Sequence, residues 1–168
     1  MKSALKSTKV LVAEDDSVMV SLIRDVLGVF GFGEIVVAKD GRDAIKEILK
    51  QDFDLVFCDW NMPEVNGIEF TRTVRRLPHY EKCAVPIIMV TGKATIEDVK
   101  TARDAGVNEY LAKPFSINML CDKVKSVIEN PRNYVLSDTY SGPDRRRRDD
   151  TDKMPTPDRR KGEETIES

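Results

Sequence analysis

Residues 55–61 read Leu-Val-Phe-Cys-Asp-Trp-Asn, and this stretch decides the fold. Four apolar residues in succession, two of them β-formers, show no alternation of polar and apolar positions. A strand exposed to water on one face alternates, so this run predicts a central strand, Asp54 to Cys58, covered on both faces. It ends abruptly in a carboxylate, Asp59. Pro63, Asn66 and Gly67 then mark a loop before Ile68, Phe70, Val74 and Leu77 return at helical spacing.

Working outward, the same strand-then-helix alternation repeats. Val10 to Ala13 predicts a first strand, followed by Val18, Leu22, Ile23, Val26, Leu27 and Phe30 at helical spacing, with Gly31 and Gly33 as the stop. Ile35 to Ala38 predicts a second strand. Asp40 and Gly41 lead a helix with Ala44, Ile45, Ile48 and Leu49 on its inner face. Ile87 to Val90 predicts a fourth strand after Pro86, and Ile96, Val99, Ala102 and Ala105 step along a helix ended by Gly106. Glu109 to Ala112 predicts a fifth strand; Ile117, Leu120, Val124, Val127 and Ile128 carry a last helix that stops before Pro131. Five strand–helix units make an α/β class with a parallel sheet and helices on both faces.

Length and composition agree. The 168 residues are 40% hydrophobic and 33% charged, enough for one ordinary core, and the net charge of −2 calls for neither nucleic acid nor anionic membrane as the main partner. The N-terminus carries no apolar run of signal-peptide length, and no segment approaches the ~20 apolar residues of a membrane span. Cys58, Cys83 and Cys121 are odd in number and contain no close pair, which suits a reducing, cytoplasmic setting without disulfide or zinc.

The composition changes after Asn130. The last 38 residues hold nine Lys or Arg and nine Asp or Glu with few large apolar side chains, so the reading is a lead over 1–8, a domain over 9–130 and a charged, disordered tail over 131–168. Within the tail, Pro143-Asp144-Arg145-Arg146 recurs as Pro157-Asp158-Arg159-Arg160. A nucleic-acid role for Arg145 to Arg148 is opposed by Asp149, Asp150 and Asp152 directly behind them. Tyr140, Gly142 and Pro143 offer a peptide motif for a protein partner instead. No helix-turn-helix pattern follows Asn130, so a DNA-binding output is not expected.

In a parallel α/β sheet ligands bind outside the carboxyl ends of the strands. Strand one ends in Glu14, Asp15 and Asp16, strand three in Asp59 with Asn61 just beyond, strand four in Thr91, and strand five in Lys113. Converging carboxylates raise one another's pKa unless a cation neutralises them, and a hard divalent ion such as Mg²⁺ is the economical answer. Glu14 or Asp15, Asp59 and the Asn61 carbonyl supply a typical protein share of its shell. Asp59 can then attack phosphorus in line to give an acyl phosphate, with Lys113 as fixed positive charge and Thr91 as hydroxyl donor. Singly each residue has an ordinary explanation: a helix cap, a solvated lysine, a β-forming threonine.

In combination, LVAEDDSVM, FCDWNMPEVNGIEF, PIIMVTGKA and YLAKPF resemble the receiver domains of two-component response regulators, closely the chemotaxis CheY type, over residues 9–130. The resemblance implies a flavodoxin-like strand order 2-1-3-4-5 and a cis Lys113-Pro114 bond. It also implies Glu14 and Asp15 as the Mg²⁺-holding acidic pair, Asp59 as phosphoacceptor, Asn61 as metal-binding carbonyl, Thr91 as switch hydroxyl and Lys113 as phosphate-sensing lysine. Asp16 would lie outside the metal shell. A histidine kinase or histidine phosphotransfer protein would be the donor. Thr91 would move toward the phosphoryl group and Tyr110 turn inward, changing the surface of helix four, strand five and helix five to bind a protein target as monomer or phosphorylation-dependent dimer.

Two other readings compete: a phosphorelay intermediate with no output of its own, and a Mg²⁺-dependent aspartyl-phosphate phosphohydrolase. The phosphohydrolase is disfavoured because position 61 is Asn, where such enzymes place a second Asp. Lys93 departs from the acidic or polar residue usual two positions after the switch threonine.

Overall fold

The structure, a computed structural model, describes residues 5–146. It contains β1 (Lys9–Ala13), α1 (Ser17–Phe30), β2 (Glu34–Ala38), α2 (Gly41–Lys50), β3 (Leu55–Cys58), α3 (Gly67–Arg75), α4 (Tyr80–Cys83), β4 (Ile87–Thr91), α5 (Ile96–Ala105), β5 (Glu109–Ala112), α6 (Ile117–Glu129), β6 (Tyr134–Leu136) and β7 (Ser141–Pro143). The five principal strands form one parallel sheet in the order β2-β1-β3-β4-β5, as expected. The short α4 was not anticipated and stands between the third and fourth units.

Strand side chains alternate between faces, so two cores arise from the same strands. Leu11, Val56, Ile87 and Met89 pack toward α2, α3 and α5 with Ala44, Ile48, Phe70, Val74 and Ala102. Val10, Val12, Phe57, Ile88, Val90 and Leu111 pack toward α1 and α6 with Ile23, Leu27, Leu120 and Val124. All four residues of β3 are buried, the reason its sequence lacks alternation. Fully burying a side chain of the size of Phe57 or Phe70 contributes ~1.5–3 kcal/mol, so these central positions dominate stability.

Helix ends are set by local chemistry. Asp16 caps α1, its side chain accepting from the Val18 amide at 2.9 Å, and Gly31 closes it in the left-handed region at φ 84°. Asn66 and Glu69 form a reciprocal capping box at the start of α3, and Thr95 and Asp98 another at α5. Not every apolar residue at helical spacing is inside. Leu49, read as inner, is 56% exposed, and Val18, Ile96, Val99 and Ile117 also face outward, because periodicity identifies a face without identifying what covers it.

Composition predicts disorder over 131–168, and the described part of that stretch departs from it: β6 and β7 pair antiparallel, Tyr134 with Pro143, Val135 with Gly142 and Leu136 with Ser141. The hairpin is seated by a buried cation. Arg75, 3% exposed at the end of α3, lies 5.9 Å from the Tyr134 ring, and the Ser141 hydroxyl donates to the Arg75 carbonyl at 2.7 Å. Gly142 and Gly106 approach closely, since a Cβ added to Gly142 would lie 3.0 Å from the Gly106 Cα. Tyr140 is consumed internally: its hydroxyl donates to the Pro143 carbonyl at 2.7 Å, and the Arg145 guanidinium stacks 3.8 Å from its ring. Two half-buried tyrosines packed around a buried arginine order a segment that charge counting assigns to solvent. The second copy of the repeat, Pro157 to Arg160, and the Arg147 and Arg148 positions lie outside the described residues.

Candidate functional site

The carboxyl ends of β1, β3, β4 and β5 place Glu14, Asp59, Thr91 and Lys113 at one edge of the sheet. Register between neighbouring parallel strands does this: the Asp59 amide donates to the Ala13 carbonyl at 3.0 Å, and the Lys113 amide to the Thr91 carbonyl at 2.8 Å. The Lys113-Pro114 peptide is cis. The loop after Asp59 is drawn back by Gly67, whose amide donates to the Trp60 carbonyl at 2.9 Å. A Cβ on Gly67 would meet the Asp59 carbonyl oxygen at 2.2 Å. Because that neighbour is backbone, Gly67→Ala is expected to cost ~1–3 kcal/mol. A thermal melt checks this, and an unchanged midpoint would show that the loop yields.

Glu14, Asp15 and Asp59 each bring a carboxylate oxygen within 4.8 Å of the other two. Glu14 and Asp59 are buried, at 3% and 7% exposure, while Asp15 is exposed. Asp16 is not in this group, its side chain being committed to the α1 cap. The Lys113 ammonium donates to Glu14 Oε2 at 3.2 Å and stands 3.8 Å from Asp59 Oδ2. Among the described residues, Asp59 Oδ1 is buried with no hydrogen-bond partner.

Electrostatics follow from this crowding. Burial raises the Asp59 carboxyl above its ordinary value, opposed by the Lys113 charge, the Asn61 and Trp60 amides and the Thr91 hydroxyl. Burial also raises Glu14, opposed by the Asp16 amide and Lys113, while the Asp59 charge adds to the rise. One lysine against three carboxylates leaves the cluster short of positive charge. A buried orphan oxygen in a set of hard oxygen donors fits a divalent cation of the Mg²⁺ type, which Glu14, Asp15 and Asp59 would hold. Asn61, two residues beyond Asp59, is exposed beside this cluster.

Thr91 is fully buried, and the Lys93 amide lies 3.4 Å from its Oγ1. Tyr110 on β5 is half-buried and donates its hydroxyl to the Lys93 carbonyl at 2.5 Å. Burial pushes this phenol up to about 12. Cys58, adjacent to Asp59, is wholly buried and its thiol is pushed well up by burial, so it behaves as a packing residue.

All of Glu14, Asp15, Asp59, Thr91 and Lys113 thus converge as read from the strand ends. The reading missed a contact beside them: the Lys93 ammonium sits 5.0 Å from the centre of the Trp60 ring. Position 93 was marked by its unusual charge, but nothing in the sequence pairs it with Trp60.

Comparisons with known proteins agree with this geometry. A sequence profile for the response regulator receiver domain matches residues 10–125. Chemotaxis protein CheY-3 of Vibrio cholerae is 35% identical over 127 residues, 74% of this chain and 94% of that protein. Chemotaxis protein CheY of Pseudomonas aeruginosa is 36% identical over 124 residues, 72% of this chain and 96% of its own length. Among solved structures, CheY4 of Vibrio cholerae superposes with a TM-score of 0.65 at 30% identity, covering 72% of this chain and 98% of its own. The receiver domain of the sensor histidine kinase PA1611 from Pseudomonas aeruginosa PAO1, solved with a magnesium ion coordinated in the active site cleft, gives 0.65 at 29% identity, covering 73% and 98%.

Proposed function

This chain belongs to the response regulator receiver domain family, with CheY-like relatives, and we propose that it is a switch whose Asp59 accepts a phosphoryl group from a histidine kinase or histidine phosphotransfer protein. The family implies phosphorylation-dependent two-component signalling rather than substrate turnover. The observation that carries the assignment to Asp59 is its buried, unpartnered Oδ1 at the edge where Glu14, Asp15 and Lys113 meet.

The chemistry is a displacement at phosphorus. A carboxylate oxygen of Asp59 attacks, the bond from phosphorus to the donor atom breaks, and the donor leaves with the electron pair. Glu14, Asp15, Asp59 and the Asn61 carbonyl would hold Mg²⁺, which when bound would supply charge neutralisation to the transferring phosphoryl group. Lys113 is already within 3.8 Å of Asp59 and needs little movement to pair with the new phosphoryl group. In doing so it weakens its bond to Glu14. Thr91 donates its hydroxyl to another phosphoryl oxygen, and Tyr110, tied to the neighbouring loop through Lys93, carries the change to the face of α5, β5 and α6. Ile96 and Val99 are exposed on that face, offering apolar contact to a protein target. No helix among the described residues is long and apolar enough to cross a membrane.

The test is incubation of the full chain with acetyl phosphate. Intact-protein mass is expected to rise by one phosphoryl group with Mg²⁺ present, and a chelator in excess of the metal is expected to prevent it. A chain that gains no mass under either condition would sink the reading.

A further inference from the structure

The Lys93 ammonium rests on the Trp60 ring at 5.0 Å, although an indole face is a weak partner for a cation at an accessible position. No carboxylate among the described residues stands within ion-pair distance of it. Asp98 feels its charge, but behind two hydrogen bonds from Thr95. Trp60 directly follows Asp59, and Lys93 stands two residues beyond Thr91, whose hydroxyl faces the Asp59 carboxylate. The ammonium is therefore held by the side chain of the residue that follows the acceptor, an undemanding partner. The same residue is tied by its backbone to both moving parts of the site: its amide lies 3.4 Å from Thr91 Oγ1, and its carbonyl accepts the Tyr110 hydroxyl at 2.5 Å.

We propose that Lys93 is a second phosphoryl-binding cation, stored on Trp60 while Asp59 is bare and drawn off the ring when an anionic phosphoryl group arrives. This deepens the phosphoacceptor reading and rests on it. A phosphoryl group brings two negative charges and strong acceptor oxygens, and a charge-assisted hydrogen bond to it is stronger than contact with the indole quadrupole. The four-carbon stem of lysine lets the head change partner by side-chain rotation alone. Lys113 serves the phosphoryl group from the Glu14 side and Lys93 from the Trp60 side. In the transfer from acetyl phosphate, the Asp59 oxygen bonds to phosphorus, the phosphorus–oxygen bond to the acetyl group breaks, and acetate leaves with the electron pair. Lys93 changes no bond; it attracts the donor and holds the product. Its departure from the ring also bears on the carbonyl that anchors Tyr110.

The test compares the full chain with Lys93→Met and Lys93→Arg. Met keeps a flexible apolar stem over Trp60 without charge, and Arg keeps the charge. With acetyl phosphate and Mg²⁺, followed by intact mass, Lys93→Met is expected to phosphorylate roughly tenfold more slowly, less than the ~100-fold of losing an oxyanion-hole donor because Lys113 keeps its charge at the site. Lys93→Arg is expected within about twofold of the parent, and the parent rate is expected to fall more steeply with salt than that of Lys93→Met. Beryllium fluoride, a phosphoryl mimic, gives the second readout: Trp60 fluorescence is expected to change in the parent as the cation leaves the ring, with most of that change lost in Lys93→Met. A parent that takes up phosphoryl while Lys93→Met matches it in rate, salt dependence and fluorescence overturns the Lys93 role alone. A parent that takes up none overturns the phosphoacceptor reading and this role together.

Discussion

Arg75→Leu is expected to lower the free energy of unfolding by ~3–5 kcal/mol, the cost of leaving several buried carbonyls without a donor less the relief of removing a buried charge. In the parent, Nε donates to the Gly106 carbonyl at 2.9 Å, Nη1 to the Cys83 and Val85 carbonyls at 2.7 Å each, and Nη2 to Asn108 Oδ1 at 2.9 Å. No carboxylate among the described residues takes part. Burial lowers the guanidinium pKa to about 10, so it remains charged at neutral pH and its cost is met by these acceptors and the Tyr134 ring. They belong to α4 and the loops before β4 and β5, so one side chain joins the lower ends of α3, α4 and α5 and seats the hairpin. Neither Leu nor Lys reproduces the planar fork that serves them all. For a chain of this size the melting midpoint should fall by ~10 °C or more. Urea unfolding of Arg75→Leu within 1 kcal/mol of the parent would sink this account.

What was legible in the sequence and what was not divide by the range of the interaction. The five strand–helix units follow from periodicity within each segment, and β3 declared its central place because LVFC is apolar on both faces. The site was legible for a related reason. Parallel topology collects strand ends, so Glu14, Asp15, Asp59, Thr91 and Lys113 needed no side-chain geometry to be placed together. Arg75 had no such signal: it sits in Arg72-Thr73-Val74-Arg75-Arg76, a stretch that reads as a solvated basic helix end, and its acceptors, backbone carbonyls and the Asn108 side chain, lie 8 to 33 residues away. The hairpin depends on that arginine, and its three-residue strands are too short to carry a pattern. The Lys93–Trp60 contact likewise joins two loops related only by the fold.

Asp59→Asn is expected to lose phosphoryl uptake completely and yet to be more stable than the parent in the absence of metal at neutral pH. The loss follows because an amide supplies no carboxylate oxygen to attack phosphorus. The gain follows from the surroundings of Asp59, whose Oδ1 is buried without a partner and whose neighbour Glu14 is also a buried acid. Burial raises the folded-state pKa of Asp59 above its unfolded value. The metal-free parent therefore keeps its full stability below the unfolded carboxylate pKa and loses some as pH rises through the folded one. Asn does not ionise and escapes that loss, so its advantage should be small in acid and grow toward neutrality to roughly 1 kcal/mol or more, the scale of an unsatisfied buried polar group. Mg²⁺ should reverse the order, because a ligand at one hundred times its Kd stabilises the folded parent by about 2.7 kcal/mol while the variant lacks a ligating carboxylate. Thermal melts across this pH range, with chelator and then with Mg²⁺, measure both signs. A parent more stable than Asp59→Asn in chelator at neutral pH would show that the carboxylates are compensated within the protein, and the case for a cation at this edge would lose its electrostatic basis.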